Sequence, residues 1–308
     1  MPEITQEFSG FPVEHAHRHQ LAPEGRESLA HIFLLPELNI AGFFYPTVLG
    51  TGIGKSTACF FGPDFPEQIV EVVEGPMPAD MNFDDWRQGP LRMQVMQPYQ
   101  QVKLAWVGER IKIDATFTAT HPPYPFSTHP KGNPPYFGDN RTEQHGRVTA
   151  DIELDGRKIH HEGLMVRDHS WGPRVWGLNQ HYKWVHATTG ESSMHFFEMQ
   201  AFGRTELRGF LFKNGAMRHI ERVDYDFTYG PDMLQDTFRV TVTDTEGRKS
   251  FIEYKMFGVL RSSHDPKTCI NTGCATLDFD GVPGVGVCEF AWNKDYFEFA
   301  RDYAERFG

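Results

Sequence analysis

Stretches of alternating apolar and polar residues, separated by turn dipeptides, constrain the fold of this chain more than any other feature. The run RVTADIELDGRKIHHEG (147–163) places apolar residues at alternate positions from Val148 to Leu154 and then turns at Asp155-Gly156. Alternation with period two is typical of a half-buried strand, and Asp-Gly readily adopts the positive φ angles of a two-residue hairpin loop. This segment therefore predicts an antiparallel β-hairpin.

The same pattern recurs along most of the chain. It is found in RIKIDATFTA (110–119), SMHFFEMQ (193–200), TELRGFLFKNGAMRHIERV (205–223), FRVTVTDTEGRKSFIEYKMFG (238–258) and ATLDFDGVPGVGVCEFAW (275–292). Two segments favour helices instead. One is 82–88, and the other is 293–307, which Asn293 can cap and whose expected apolar face is Tyr296, Phe299, Ala300, Tyr303 and Phe307. Many short strands and few helices predict an all-β fold of barrels or sandwiches.

Length and charge limit the organisation and the partners. A chain of 308 residues suits two domains, which we expect at 1–175 and 176–308. A net charge of −11 argues against nucleic acid and anionic membranes, and no apolar run approaches the ~20 residues of a membrane span. The four cysteines form no C-x-x-C pair and the N-terminus has no secretory pattern, so we expect a cytoplasmic protein.

The segment GTGIGKST (50–57) only partly matches a phosphate-binding loop. That motif has four residues between its first glycine and Gly-Lys-Ser/Thr, whereas Gly50 and Gly54 leave three, and no helical pattern follows. We expect a glycine-rich strand or hairpin there and no nucleotide cofactor. The proline- and aromatic-rich segment 121–142 is interpreted as an ordered lid or wall.

The segment EHAHRHQ (14–20) raises the question of a metal site. On a strand, His15, His17 and His19 would project to one face, and three imidazoles can bind zinc or iron. Arg18 would oppose a cation electrostatically. We favour solvated or hydrogen-bonded histidines and expect no metal, and keep binding by these three histidines as an alternative.

The run RDHSWGPR (167–174) concentrates two arginines, an acid, an imidazole and an indole after an apolar, strand-like segment. One interpretation is a buried Arg–Asp pair with Trp171 as packing. The other is catalytic, because desolvated charges are costly and cluster where chemistry uses them. In the catalytic interpretation Asp168 orients His169, the general acid/base, and Arg167 sets the local field.

Residues on both sides of this run extend the candidate site. Glu143 is a second carboxylate that could take part in proton transfer. Arg174 and Arg167 would stabilise the charge that develops during the reaction. The predicted substrate cradle is Trp171, Arg174, Trp176, Tyr182, Trp184 and His186. We expect these groups and the His169 imidazole to open into an apolar, ring-lined hollow between two sheets.

The run EQHGRVTADIELDGRKIHHEGLMVRDHSWGPR (143–174) resembles the AttH-like and carotenoid 1,2-hydratase (hydroxyneurosporene synthase) superfamily. The matching elements are Glu143-Gln144, the Asp155-Gly156 hairpin and Arg167 to Gly172 with Arg174, and GVGVCEF (284–290) looks like the family's closing strand. The resemblance implies two lipocalin-like antiparallel β-barrel domains packed together, with a metal-independent site for apolar small molecules. Relatives hydrate isolated double bonds or guide cyclisations and pericyclic steps.

These features predict a cofactor-independent lyase of the hydratase/dehydratase or retro-aldol type, or an isomerase. It would apply acid/base chemistry to a small apolar aromatic or terpenoid molecule. A non-catalytic carrier of a hydrophobic ligand is the alternative, with RDHSWGPR as a structural latch. The sequence leaves the substrate, the direction of reaction and the oligomeric state open, a homodimer being one alternative.

Overall fold

A computed structural model describes residues 11–65, 67–230 and 232–307, apart from the side chains at 264, 265 and 307. Strands dominate, and one C-terminal α-helix accompanies them in the described part of the chain, so the predicted all-β class is confirmed. The chain divides into two compact units, the first ending at Arg174 and the second beginning at Val175. Among the described residues, no helix has the length and apolar character needed to cross a bilayer.

The first unit is one antiparallel sheet of twelve strands, in which apolar alternate residues such as Ile111, Ile113 and Phe117 are buried in a single core. The strand order is β2-β4-β3-β1-β12-β11-β9-β8-β7-β6, with β5 paired to β4 and β10 paired to β11. The strands are β1 (Gly25–Leu35), β2 (Ile40–Tyr45), β3 (Thr47–Leu49), β4 (Ile53–Phe61), β5 (Ile69–Pro76), β6 (Trp86–Gln88), β7 (Leu91–Gln97), β8 (Gln101–Val107), β9 (Ile111–Ala119), β10 (Tyr124–Pro125), β11 (Asn140–Leu154) and β12 (Arg157–Pro173).

The second unit is a closed, eight-stranded up-and-down barrel in which each strand pairs with its neighbours in sequence and the last pairs with the first. Val185, Phe196, Phe238 and Phe290 belong to its apolar core. Its elements are β13 (His181–Thr188), β14 (Ser193–Ala201), β15 (Arg204–Lys213), β16 (Ala216–Tyr229), β17 (Gln235–Asp244), β18 (Lys249–Asp265), β19 (Thr268–Phe279), β20 (Val282–Asn293) and α1 (Lys294–Phe307).

The turn predictions hold where the sequence chemistry is strongest. Asp155 and Gly156 join β11 to β12 with φ angles of 48° and 84°, and Asn214 and Gly215 join β15 to β16 with 56° and 73°. The GTGIGKST segment forms a turn and the start of β4, as expected of a glycine-rich hairpin. In that turn a Cβ on Gly50 would lie 1.8 Å from the Ala22 carbonyl oxygen, so only glycine fits.

The helix predictions are partly wrong. Residues 82–88 form a turn followed by β6, because Phe83 and Trp86 are stacked in the core with their ring centroids 5.0 Å apart. In α1, Asn293 Oδ1 accepts from the Tyr296 backbone N–H at 3.3 Å, which confirms the cap. Among the described helix side chains, however, Phe297 is the buried one, and Tyr296, Phe299 and Tyr303 of the expected apolar face are exposed; the Phe307 side chain lies outside the described residues.

The proline-rich segment 121–142 is only partly a loop. Tyr124 and Pro125 form β10 against the start of β11, and the Tyr124 and Phe126 rings are fully buried. His121 is buried as well, with its Nε2 3.0 Å from His145 Nδ1. The segment is therefore a wall of the first unit around these residues, and its role as a lid stays a prediction.

Candidate functional site

Residues 167–173 of the RDHSWGPR run lie within β12, not after it, and the strand distributes their side chains over two faces. Arg167, His169 and Trp171 point with Met165 towards the core of the first unit, which we call the core face. Asp168 and Ser170 point to the opposite face, because successive strand residues alternate. The predicted Asp168–His169 couple is therefore wrong: neighbours in sequence on one strand project away from each other.

The partner of His169 is Glu27 on β1, a strand that pairs with β12. Leu29 is directly opposite His169 and Glu27 is opposite Trp171, so Glu27 and His169 are diagonal neighbours on the core face. His169 Nε2 lies 2.7 Å from Glu27 Oε1, and both side chains are almost completely buried. A buried carboxylate thus replaces the predicted aspartate.

The same carboxylate binds a second imidazole, that of His19. His19 Nδ1 lies 2.6 Å from Glu27 Oε1, and the His19 backbone N–H donates to Glu27 Oε2 at 3.0 Å. His15 Nδ1 in turn lies 2.8 Å from His19 Nε2. His15, His19, Glu27 and His169 form one continuous hydrogen-bonded chain, which we call the relay.

Trp171 supports the outer part of the relay. Its indole stacks on His19 with ring centroids 3.8 Å apart and on His15 with centroids 5.4 Å apart. The Phe83 ring meets His169 edge-on at 5.5 Å. Because Trp171 is buried against two imidazoles, it positions the relay, and the structure gives no support to its predicted role as a stacking plate for substrate.

Burial and hydrogen bonding shift the pKa values of Glu27 and His169 in the relay. Burial alone would raise the pKa of Glu27, but hydrogen bonds from His169 and His19 outweigh it and lower that pKa below its ordinary value. Burial lowers the pKa of His169, with Glu27 opposing the effect. An ionised Glu27 can only accept, so His169 donates to it from Nε2 and His19 donates to it from Nδ1.

A metal ion is the other occupant that this geometry allows. One ligand atom from each of His19, Glu27 and His169 lies within 4.8 Å of the others, and two imidazoles with a carboxylate are a zinc-type ligand set. The observed N···O distances of 2.6 and 2.7 Å are those of hydrogen bonds, however. Ligand atoms about 2.0–2.2 Å from a tetrahedral zinc would be separated by roughly 3.3–3.5 Å.

The metal face of His15, His17 and His19, which the sequence left as an alternative, is not formed among the described residues. Residues Val13–Ala16 adopt a short 3-10 turn, not a strand, because Phe11 and Trp171 hold His15 between stacked rings. Among the described residues, neither His15 nor His17 belongs to a group of side chains that could share a metal ion.

A cavity of about 580 Å³ lies beside the relay, and His19 is part of its wall. The β3–β4 turn and residues 77–82 form much of the rest. The lining mixes apolar with polar side chains: Leu21, Leu49, Met77, Met81, Arg18, Asp80 and Asn82. His169 does not line this cavity, contrary to the expectation that its imidazole opens into a hollow, and it is connected to the cavity only through Glu27 and His19.

The opposite face of β12 carries a compact cluster of ion pairs. Arg141 lies 2.7 Å from Asp168 Oδ2 and 2.6 Å from Glu143 Oε1, and all three side chains are buried. The Ala30 backbone N–H donates to Asp168 Oδ1 at 3.0 Å. Asp168 and Glu143 are thus brought together, but by Arg141 and not by His169.

The two arginines of the run lie apart. Arg167 is on the core face, where it donates to Gln144 Oε1 at 3.3 Å and lies over the Phe117 ring at 5.8 Å. Its charge contributes to the lowered pKa of His169, so its predicted effect on the local field has a physical basis. Arg174 contacts the Ser170 hydroxyl and the Phe137 ring instead.

The remaining cradle residues belong to the second unit. Trp176 is half-buried in a 3-10 turn (Trp176–Leu178), and Tyr182, Trp184 and His186 alternate with the barrel-core residues Val185 and Ala187 along β13. They share the outer face of the barrel, with the Trp184 and His186 ring centroids 4.1 Å apart, and their role in a substrate cradle stays a prediction. The Tyr182 hydroxyl donates to Glu289 Oε1 at 2.7 Å.

Sequence reasoning missed Glu27 and Arg141, which organise the two faces. Glu27 begins the alternation Glu27, Leu29, His31, Phe33, whose later members are buried, and this was the available signal of an acid facing a core. Arg141 stands at the start of β11 beside Glu143, and nothing in its local sequence identifies Asp168 as its partner.

Comparison with known proteins gives a family and a fold. The model of a family described as "Domain of unknown function (DUF7064)" matches residues 12–294. No curated protein sequence matches this chain. Among solved structures, CghA has 14% identity and a TM-score of 0.63, with 89% of this chain and 90% of that chain covered.

Two further structures are similar over most of their length. A candidate AttH from Nitrosomonas europaea has 13% identity and a TM-score of 0.65, covering 94% of this chain and 98% of the other. Kievitone hydratase from Nectria haematococca has 9% identity and a TM-score of 0.60, covering 88% and 90%. At these identities the similarity establishes a shared fold, and the predicted likeness to AttH-like proteins is confirmed at that level.

Proposed function

Since the chain belongs to the DUF7064 family, whose description names no activity, we propose from its geometry that it is a lyase of the hydratase/dehydratase type. The observation that carries this proposal is the relay from buried His169 through Glu27 to His19 at the wall of a cavity. Its substrate is a small, largely apolar molecule that carries a hydroxyl group or an isolated double bond. The fold shared with kievitone hydratase supports the reaction class.

The relay suits His19 for the transfer of one proton. Glu27 accepts from His19 Nδ1–H, so the lone pair of the neutral ring is on Nε2. A substrate in the cavity can replace His15 as the partner of that atom. When His19 gains a proton, the adjacent Glu27 carboxylate stabilises the imidazolium, as the acid does in a Ser-His-Asp triad.

The roles differ among the relay members. His19 is the proposed catalytic residue, because it lines the cavity. Glu27 and His169 are positioning residues: His169 donates to Glu27 and keeps it ionised and aimed at His19. His15 is half-buried at the outer end, where it can pass a proton on to solvent.

Dehydration at this site is a balanced elimination. His19 Nε2 takes a proton from the carbon next to the one that bears the hydroxyl, the C–O bond breaks, and the His19 imidazolium returns that proton to the departing hydroxide to form water. The products are an alkene and water, and no oxidant or reductant is needed. Hydration is the reverse, and proton transfer by one such group contributes roughly 10²–10⁴ in rate.

The cavity supports an aromatic or terpenoid substrate of modest size. Its volume of about 580 Å³ is within the usual range of ligand pockets, and Leu21, Leu49, Met77 and Met81 supply apolar walls. Asp80 and Asn82 offer hydrogen bonds to a hydroxyl group. Retro-aldol cleavage uses the same proton acceptor and is the second reaction that we propose to test.

We also propose a reducing location such as the cytoplasm. All four cysteines are free thiols, and Cys59, Cys274 and Cys288 are buried. Disulfides form and persist mainly in oxidising compartments, so free thiols support a reducing one.

The experiment is a mass-change screen of hydroxylated and unsaturated aromatic and terpenoid compounds. We expect the wild-type protein to produce a loss or gain of one water, whereas loss of formaldehyde would indicate the retro-aldol branch. Glu27→Gln should slow turnover by roughly 10²–10⁴. Glu24→Gln is the matched control, because Glu24 is exposed three residues earlier and should keep full activity.

The other outcomes discriminate between the alternatives. Binding without any mass change would contradict the proposal; recovery of the unchanged ligand would then identify a carrier, and an isomeric product an isomerase. Activity that is lost on chelation and restored by zinc would assign His19, Glu27 and His169 to a metal and contradict the relay. Equal activity of Glu27→Gln and wild type would exclude this site.

A further inference from the structure

The wall of the C-terminal barrel opens along one seam. β15 and β16 pair only from Phe210↔His219 to Lys213↔Ala216, whereas β16 continues to Tyr229 with β17 as its partner. The side chains of Tyr225, Phe227 and Tyr229 pack against the barrel core, yet each stays half-exposed. The β15–β16 seam is therefore paired over only part of its length, with these three rings along its unpaired part.

A lysine–glutamate pair lies inside the barrel at this end. Lys183 and Glu198 are directly opposite each other on β13 and β14, with Nζ 3.1 Å from Oε1, and both are buried. The Tyr225 hydroxyl donates to the same oxygen at 2.7 Å. The Lys183 ammonium lies 4.6 Å from the Tyr225 ring centroid and 5.7 Å from that of Phe290. The pair is charge-compensated and has aromatic walls.

Three nearby polar atoms are buried and have no hydrogen-bond partner among the described residues. They are His181 Nε2, Trp292 Nε1 and the Tyr229 hydroxyl oxygen. The Trp292 ring centroid lies 3.9 Å from that of His181 and 6.3 Å from that of Tyr229. Buried polar groups in proteins almost always have a hydrogen-bond partner. Three unpaired polar atoms, on Trp292 and on two residues beside its ring, therefore indicate a missing polar partner.

The donor and acceptor pattern defines that partner. His181 Nδ1 lies 2.7 Å from the Ala291 carbonyl oxygen, which can only accept, so the proton is on Nδ1 and Nε2 presents a lone pair. Burial, reinforced by the Lys183 charge, lowers the pKa of His181 to about 3, and the ring stays neutral. The Trp292 N–H can only donate, and the Tyr229 hydroxyl can do either.

A hydroxyl group matches this pattern, since it donates to His181 and accepts from Trp292 or Tyr229. A carboxylate does not match, because it would meet the His181 lone pair and the Glu198 charge. The rings around the Lys183–Glu198 pair favour an aromatic body next to that hydroxyl.

We propose that the C-terminal barrel binds a neutral phenol, with its ring between the aromatic walls and its hydroxyl on His181 and Trp292 or Tyr229. The site shares no residue with the relay of the first unit and does not depend on the lyase activity.

The test compares 4-propylphenol with 4-propylanisole by calorimetry on the full chain. We expect saturable one-to-one binding of the phenol and at least about tenfold weaker binding of the anisole, which cannot donate to His181. Tyr229→Phe removes a hydroxyl that has no protein partner among the described residues, so the protein should fold as before. We expect the variant that lacks the donor to the phenol oxygen to bind the phenol several-fold more weakly: Tyr229→Phe if the Tyr229 hydroxyl donates, and Trp292→Phe if the Trp292 N–H donates. Equal affinity for the two ligands, absence of saturable binding, or wild-type phenol affinity in both variants would overturn the proposal.

Glu27→Gln separates this site from the relay. We expect this variant to keep wild-type affinity for 4-propylphenol while turnover falls. Loss of phenol binding in Glu27→Gln would assign the phenol to the first unit and overturn the proposal. Failure of phenol binding to the wild-type protein would leave the relay and its turnover unaffected, so the two proposals fail independently.

Discussion

The two faces of β12 carry similar residues in different electrostatic arrangements. On the core face one carboxylate, Glu27, bonds two imidazoles and connects through His19 to a cavity. On the opposite face two carboxylates share Arg141, and Asp168 also accepts a backbone N–H. A buried ion pair destabilises the fold when one of its partners is removed, whereas linked groups that can exchange protons support acid/base chemistry. A single strand thus separates a structural cluster from a candidate catalytic one.

The largest stability effect that we predict comes from a substitution in the ion-pair cluster on the opposite face of β12. Asp168→Ala leaves Arg141 with one carboxylate fewer and the Ala30 N–H without its acceptor. We expect a loss of about 3–5 kcal/mol in the free energy of unfolding, measured by urea titration. Asp114→Ala is the control, since that side chain is 68% exposed, and it should change stability little. Similar losses for the two variants would show that the cluster is not structural.

Acidification extends the comparison because the opposite face also holds the buried His121 imidazole. Burial lowers the pKa of His121, which contacts His145, to about 4. The unfolded chain, with a histidine pKa near 6.5, then binds this proton more readily, so stability is complete above about pH 6.5 and falls towards pH 4. His121 alone should cost about 2 kcal/mol at pH 5 relative to pH 8. Urea titrations of His121→Gln should show a correspondingly flatter pH profile; an unchanged slope would contradict this assignment.

The smallest effect concerns the ring that supports the relay. Trp171→Phe keeps an aromatic ring but loses part of the stacking on His19 and His15. We expect the free energy of unfolding, measured by urea titration, to fall by roughly 1 kcal/mol. Turnover should fall by a larger factor than the one that this free energy corresponds to. A loss as large as that of Asp168→Ala, with unchanged turnover per folded molecule, would assign Trp171 to packing alone.

Local patterns predicted much of the fold and little of the site. Period-two alternation and Asp155-Gly156 identify hairpins, because both signals act over a few residues. The partner of His169 could not be read in this way, because Glu27 is distant in sequence and reaches it only through the β1–β12 register. The burial of Phe297, and not of the expected apolar face of α1, has a related reason. Phe297 contacts the barrel end, including Trp292, and the helical period does not report such contacts.

The protonation of the relay imidazoles tests the central claim most directly. In ¹⁵N NMR spectra of the histidine side chains near neutral pH, we predict that His169 is neutral with its proton on Nε2 and that His19 carries its proton on Nδ1, both bonded to an ionised Glu27. Glu27→Gln should shift both ring signals. A His169 that is charged or protonated on Nδ1, or ring signals that do not respond to Glu27→Gln, would contradict the account.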